Sequence, residues 1–203
     1  PLLDASEDDA DAPRDAERVL DWARGAILGR TPDDFLAIGT LEGFLDWTRW
    51  SSTPVASVCA RLLSEDPALG ASDVALLPAA DGWIPGRLAA AIDRDTGFDE
   101  HPSLDGIACE TGPLARTAGH PLVAAASAAW GRGFGARLVA RLIESATLLE
   151  SMGTGCHVTR PLARHGAAAT GAGAGIAWVE TARGLLVHRV ALEGERIAAY
   201  RSI

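Results

Sequence analysis

Two short segments hold the residue types best suited to gripping an anion at a fixed place. In Glu110-Thr111-Gly112-Pro113-Leu114-Ala115-Arg116, the Gly-Pro pair forces a turn and the residues after it begin a helix. Glu110 and Arg116 then stand on either side of a compact corner. In Glu180-Thr181-Ala182-Arg183-Gly184, the glycine permits a backbone shape that other residues resist, and the segment predicts a corner between two strands. An arginine held at such a corner presents several donors in a fixed fork to an anion. Each corner also has a plainer reading. The first is then a structural ion pair or helix cap, and the second carries an ordinary surface arginine.

The other chemistry-bearing residues do not assemble into a recognisable centre. The histidines are His101, His120, His157, His165 and His188, and the cysteines are Cys59, Cys109 and Cys156. Cys156-His157 is a candidate metal-ligand pair with His165 nearby in sequence, although adjacent side chains project in different directions. There is no CxxC pair, which excludes a zinc ribbon or an iron–sulfur ligand set. The glycine-rich stretch 171–175 lacks the lysine of a phosphate loop, and no GxGxxG segment joins a strand to a helix. No GxSxG elbow occurs, and nothing brings Ser, His and Asp together. The chain reads as a protein that binds or assembles something rather than one that turns over substrate by itself.

Composition narrows the partners. The net charge of −9 disfavours a phosphate backbone, so no nucleic acid is expected. All 18 basic residues are Arg, a bias too uniform to be a site requirement. An odd, widely spaced set of cysteines argues against a disulfide framework and for a reducing, cytoplasmic setting. No segment resembles a signal peptide, and no apolar run reaches the roughly 18 residues that a membrane helix needs.

The elements that must position the two corners follow from periodicity and punctuation. Residues 1–14 read as a flexible acidic start. A helix begins near Asp15, with Val19, Trp22, Ala23 and Ile27 at helical spacing and Gly29 as its stop. Thr31-Pro32 and Thr53-Pro54 are cap-plus-proline starts for further helices. Residues 73–78 predict a short strand, and 83–92 a short helix after Pro85. The strongest helical signal runs over 121–152, divided at Gly131 and Gly133. The low-complexity stretch 166–174 predicts a flexible Gly/Ala loop. Beyond it, 176–179, 185–187, 190–192 and 197–200 predict strands, the last two joined by a turn. The six tryptophans are expected in cores or seams. The fold class is mainly α with a small antiparallel β-sheet (α+β), with residues 15–203 as one domain.

Taken together, the two corners resemble a known family. Glu110-Thr111-Gly112-Pro113-Leu114-Ala115-Arg116 is similar to the E-x-G-P-L-A-R motif of nickel–iron hydrogenase large subunits. Phe134-Gly135-Ala136-Arg137-Leu138-Val139-Ala140-Arg141 resembles the helix that follows that motif. Gly175-Ile176-Ala177-Trp178-Val179-Glu180-Thr181-Ala182-Arg183-Gly184-Leu185-Leu186-Val187-His188 resembles the family's G-x-G-x-x-E-A-P-R-G-x-L-x-H segment. The three lie in the same order, and the likeness covers residues 105–203. The catalytic family's two CxxC motifs are absent. Ala182 stands for its Pro, Val187 for a small residue, and Arg189 for an aromatic. Leu76-Leu77-Pro78 and Trp83 look more like the HupK/HoxV-type hydrogenase maturation proteins, non-catalytic relatives of the large subunit.

The resemblance implies a truncated large-subunit-like helical bundle around the 121–152 helices. It implies an accessory scaffold in hydrogenase maturation, working with a maturation chaperone and the immature large subunit. The cargo would be a transient Fe(CN)2CO unit, with no nickel. Arg183 would hydrogen-bond a cyanide nitrogen, supported by Glu180, His188, Glu110 and Arg116. Iron ligands would have to come from Cys109, Cys156 with His157, or a partner's cysteine. Two alternatives stand beside this: a fragment of a catalytic large subunit lacking its CxxC ends, and a cofactor-free helical interaction module.

Overall fold

A computed structural model of the chain describes residues 12–79, 83–153 and 165–203. These residues fall into two compact units, each made of two chain segments: Pro1–Ala71 with Gly119–Thr159, and Ser72–Ala118 with Arg160–Ile203. Where the sequence reading treats 15–203 as one domain, the contacts group it in two. Residues 1–11 of the acidic start, Cys156 and His157 lie outside the described residues, while residues 12–14, expected as part of that flexible start, form the first turn of a helix.

The first unit is helical. α1 (Ala12–Ala23) runs into a π-helical turn, Arg24–Leu28, which Gly29 ends in the left-handed conformation. α2 (Pro32–Leu36), α3 (Leu41–Trp50) and α4 (Pro54–Leu63) each start on a threonine. The side chains of Thr31, Thr40 and Thr53 accept hydrogen bonds from the amides of Asp34, Gly43 and Ala56, satisfying donors that a helix leaves open. α7 (Pro121–Trp130) and α8 (Phe134–Gly153) separate where expected, at 131–133. The loop 67–69 after α4 closes this joint. The Pro67 and Leu69 carbonyls accept from the Gly135 and Phe134 amides, both at 2.8 Å. A side chain on Gly133 would collide with the Ala68 carbonyl at 2.7 Å, so the crossing needs its glycine for space.

The core of this unit centres on Trp47. Its indole N–H donates to the Leu28 carbonyl at 2.7 Å. Phe35 meets the ring edge-on at 5.0 Å and Phe44 stacks on it at 5.4 Å. His120 spans two helices: its Nδ1 accepts from the Leu122 amide at 3.2 Å, and its Nε2 sits 3.0 Å from the Leu36 carbonyl. With Nδ1 accepting, Nε2 is the ring nitrogen left to donate to the Leu36 carbonyl. Trp83 and Trp178 pack against the core of the second unit, but two tryptophans depart from the expectation of burial. Trp22 is 63% exposed and Trp50 83%. Each occupies a helix position that periodicity alone cannot assign to the core or the solvent.

The second unit holds both corners. Two-residue strands β1 (Ala75–Leu76) and β2 (Cys109–Glu110) pair in parallel, Leu76 opposite Glu110. A π turn, Ile84–Leu88, continues into α5 (Ala89–Arg94), and α6 (Pro113–Thr117) follows the first corner. The four-stranded antiparallel sheet runs in sequence order: β3 (His165–Gly171), β4 (Ala174–Thr181), β5 (Gly184–Glu193) and β6 (Arg196–Ser202). Its inner face carries Ile176, Trp178, Leu185 and Val187, which pack on Ile84, Leu88, Ile92 and Phe98.

The expected flexible loop over 166–174 is therefore corrected. Most of it is β3 and the turn into β4, with Gly166 opposite Trp178 and Ala168 opposite Ile176. The physical reason is size. A Cβ on Gly166 would lie 2.3 Å from the Trp178 ring, so the inner positions of β3 must be small to admit the indole. The Gly/Ala composition that signals a linker is here the complement of a tryptophan on the next strand.

Candidate functional site

Gly112 places Pro113 at the first position of α6 and takes φ +96, which a side chain rarely tolerates. Gly184 opens β5 at φ +143. These two glycines face each other. A Cβ on Gly112 would sit 3.2 Å from the Arg183 carbonyl oxygen, and one on Gly184 would sit 2.0 Å from the Thr111 hydroxyl. The two corners thus interlock backbone to backbone.

An arginine bolts them together. Arg116 extends from the last turn of α6, and its Nη1 donates to the Glu180 carboxylate at 2.6 Å while Nη2 donates to the Thr181 carbonyl at 2.9 Å. The Glu180 side chain is 7% exposed and that of Arg116 is 17%. A charge pair so shielded is screened far less than a surface pair. The plainer reading of the first corner is thus realised for Arg116, whose partner is the second corner.

That leaves Arg183 at the tip of the β4–β5 hairpin. Its amide donates to the Thr181 hydroxyl at 3.2 Å, and that hydroxyl donates to the Gly184 carbonyl at 2.9 Å. The side chain is exposed, and among the described residues its guanidinium has no ion pair or hydrogen bond. The backbone at this position is held while the guanidinium stands exposed.

The remaining candidates fall elsewhere. Glu110 is half-buried in β2, and its carbonyl accepts from the Leu77 amide at 2.8 Å. His188 is on β5, one residue out of phase with Val187, so it lies on the opposite face of the sheet from Glu180. There it stacks on Tyr200 at 5.7 Å, with its Nδ1 2.5 Å from the Tyr200 hydroxyl. The structure therefore gathers Arg116, Glu180 and Arg183, and sets His188 apart. Cys109 precedes Glu110, half-buried, and its thiol points to the Ile107 carbonyl at 3.5 Å. Among the described residues no group of three or more His, Cys, Asp and Glu side chains could hold a metal ion. Cys59 is buried in α4, and burial pushes its thiol up to about 11.

Sequence reasoning passed over two residues that organise this unit. Thr181 was read only as part of a corner, yet it bridges the turn. Arg189, noted only as a departure from an aromatic, is 8% exposed. It forks onto Asp93 of α5 at 3.0 and 2.7 Å and reaches the Gly175 and Val190 carbonyls. An arginine inside an apolar strand was the available signal, since a buried cation must be paired. Arg201 makes a second tie, donating to the Ile92 carbonyl within α5, to the Asp95 and Thr96 carbonyls beyond it, and to Asp99. The hydrogen bond from Arg201 holds the exposed Asp99 carboxyl below its usual range.

Comparison with known proteins adds one relative. The chain is 30% identical over 218 residues to the hydrogenase expression/formation protein HoxV of Cupriavidus necator, an alignment that covers all of this chain and 52% of that protein. The chain therefore spans about half the length of the relative it matches. No protein-family model matches the chain. No solved structure matches it. The similarity supports a relationship with hydrogenase maturation proteins. No helix among the described residues is long and apolar enough to cross a membrane.

Proposed function

We propose that this chain is a non-catalytic accessory protein of nickel–iron hydrogenase maturation, which assists the assembly or transfer of an Fe(CN)2CO unit to the large subunit. The similarity to HoxV supports the maturation setting. The three large-subunit-like motifs support a shared ancestry of fold with the large subunit itself. The observation that carries the reading is the exposed fork of Arg183, on a hairpin tip locked by Arg116, Glu180 and the two facing glycines.

The iron unit is cargo here, and the residues fit one half of it. A guanidinium donates planar, charge-assisted hydrogen bonds to small anionic acceptors, and a cyanide nitrogen bound to iron is such an acceptor. Arg183 would bind and orient the cargo by that end. Glu180 and Arg116 hold the strand ends on which Arg183 stands. The iron end needs thiolates. Cys109 lies in the same unit, and the remaining thiolates would come from Cys156 or from a partner's cysteine. The partners are accordingly a maturation chaperone and the immature large subunit, meeting the protein in the cytoplasm.

The test is metal analysis with infrared spectroscopy on the full-length protein, purified without oxygen from its own host. Cyanide and carbonyl stretching bands with iron and no nickel are expected, and Arg183→Lys should shift the cyanide bands by removing the planar fork. Nickel alongside iron would move the assignment to a catalytic subunit. No metal and no bands, with the maturation partners intact, would leave an interaction module.

A further inference from the structure

We infer that Thr181 is the positioning residue for Arg183: its side chain clamps turn 181–184 by hydrogen bonding, as a proline at position 182 would by its ring. The inference rests on the reading of Arg183 given above, but it has its own observations. The Thr181 hydroxyl touches both ends of the turn, accepting from the Arg183 amide at 3.2 Å and donating to the Gly184 carbonyl at 2.9 Å. Such a bridge from a Thr side chain to the backbone two and three residues on is a local substitute for backbone rigidity. It is needed because position 182 is alanine, which leaves φ free where a proline would fix it.

The turn's own geometry leaves position 182 open to a proline. Thr181 ends β4 and is extended, the conformation that the residue before a proline adopts. Neither Ala182 nor Arg183 takes a positive φ, so the turn does not demand at position 182 a backbone that proline is barred from. Among the described residues, the Ala182 amide makes no turn hydrogen bond that a proline would remove. The far side of the turn is already constrained. Gly184 is held against Thr111, and the Thr181 carbonyl is held by Arg116 at 2.9 Å. The hydroxyl of Thr181 is thus the element that fixes the two residues between these anchors, and with them the direction in which the Arg183 side chain leaves the backbone. Held this way, the guanidinium sweeps a smaller volume and is closer to its bound position before the ligand arrives.

Two measurements on the full chain test this. Hydrogen exchange at the Arg183 and Gly184 amides should speed up about five- to tenfold in Thr181→Val, the loss of one net hydrogen bond. Thr181→Ser should keep the wild-type rates. Adding Ala182→Pro to Thr181→Val should restore protection at Gly184 although the hydroxyl is still missing. Unchanged Gly184 exchange in Thr181→Val, or no restoration by the proline, overturns the clamp. The second measurement uses protein loaded with the iron–cyanide–carbonyl unit in its host. Thr181→Val should broaden the cyanide bands, while Thr181→Ser and the double variant keep them narrow. Bands in Thr181→Val identical to wild type would reduce Thr181 to a structural residue and overturn the positioning role. If wild-type protein carries no such bands while the exchange results hold, the iron-unit reading fails and the clamp stands.

Discussion

Replacing Arg116 with methionine tests the bolt between the corners. Methionine keeps length and volume, so little cavity cost is added. What is lost is the positive charge 2.6 Å from Glu180 and the donor 2.9 Å from the Thr181 carbonyl. Removing one partner of a buried ion pair costs about 3–5 kcal/mol, because the other charge stays buried and uncompensated. Arg116 keeps 17% of its side-chain surface exposed, which places this pair toward the lower end, about 3 kcal/mol. Arg116→Met with Glu180→Met removes both charges, and the pair of changes should cost only about 1 kcal/mol. The two effects should therefore be strongly non-additive, with a coupling of about 2 kcal/mol or more in a double-mutant cycle. Native-state hydrogen exchange at the Val179 and Val187 amides reads the unit that contains the pair, whatever the other unit does. A cost below about 1 kcal/mol for Arg116→Met, or a double variant as unstable as the sum of the singles, would refute the claim that this pair is shielded and structural.

Two further perturbations follow from the same geometry. Gly184→Ala should cost about 3 kcal/mol, combining strain at φ +143 with a clash 2.0 Å from the Thr111 hydroxyl. Thr111→Gly should recover only the steric share, and full recovery would show that the backbone conformation itself is unstrained. Cys59 supplies an alkaline prediction. Its folded value is raised from 9.0 to about 11, so its neutral form stabilises fully below the ordinary value, and that stability is lost as pH rises toward the folded one. The stability gap between wild type and Cys59→Ala should narrow by about 2–3 kcal/mol between pH 8 and pH 11, as measured by urea unfolding. A gap that does not change with pH would mean that the thiol is not shielded.

Local punctuation was readable from neighbouring residues. Thr31-Pro32 and Thr53-Pro54 start helices as expected, because a cap and its proline act within one turn. The division of 121–152 at its glycines, the two corners around Gly112 and Gly184, and the strands after 175 are likewise encoded within a few residues. The likeness to HoxV agrees with the hydrogenase maturation resemblance drawn from Leu76-Leu77-Pro78 and Trp83.

Tertiary structure decided what depends on partners far along the chain. Arg116 finds Glu180 64 residues away, and Arg189 finds Asp93 96 residues away. No periodicity announces either meeting. Residues 166–171 carry linker composition, and only the Trp178 ring on the neighbouring strand explains why they are small and paired. His188 matched its motif by spacing, but the two-residue period of β5 turned it to the face away from Glu180. Trp22 and Trp50 remained outside because burial follows the neighbours a helix acquires, not the residue's own hydrophobicity. The sequence by itself determined where the chain must turn and cap, since turns and caps are short-range effects. Which of those arginines is spent on structure and which is left open was decided by the packing of distant segments, because a charge is free or satisfied only relative to what surrounds it in space.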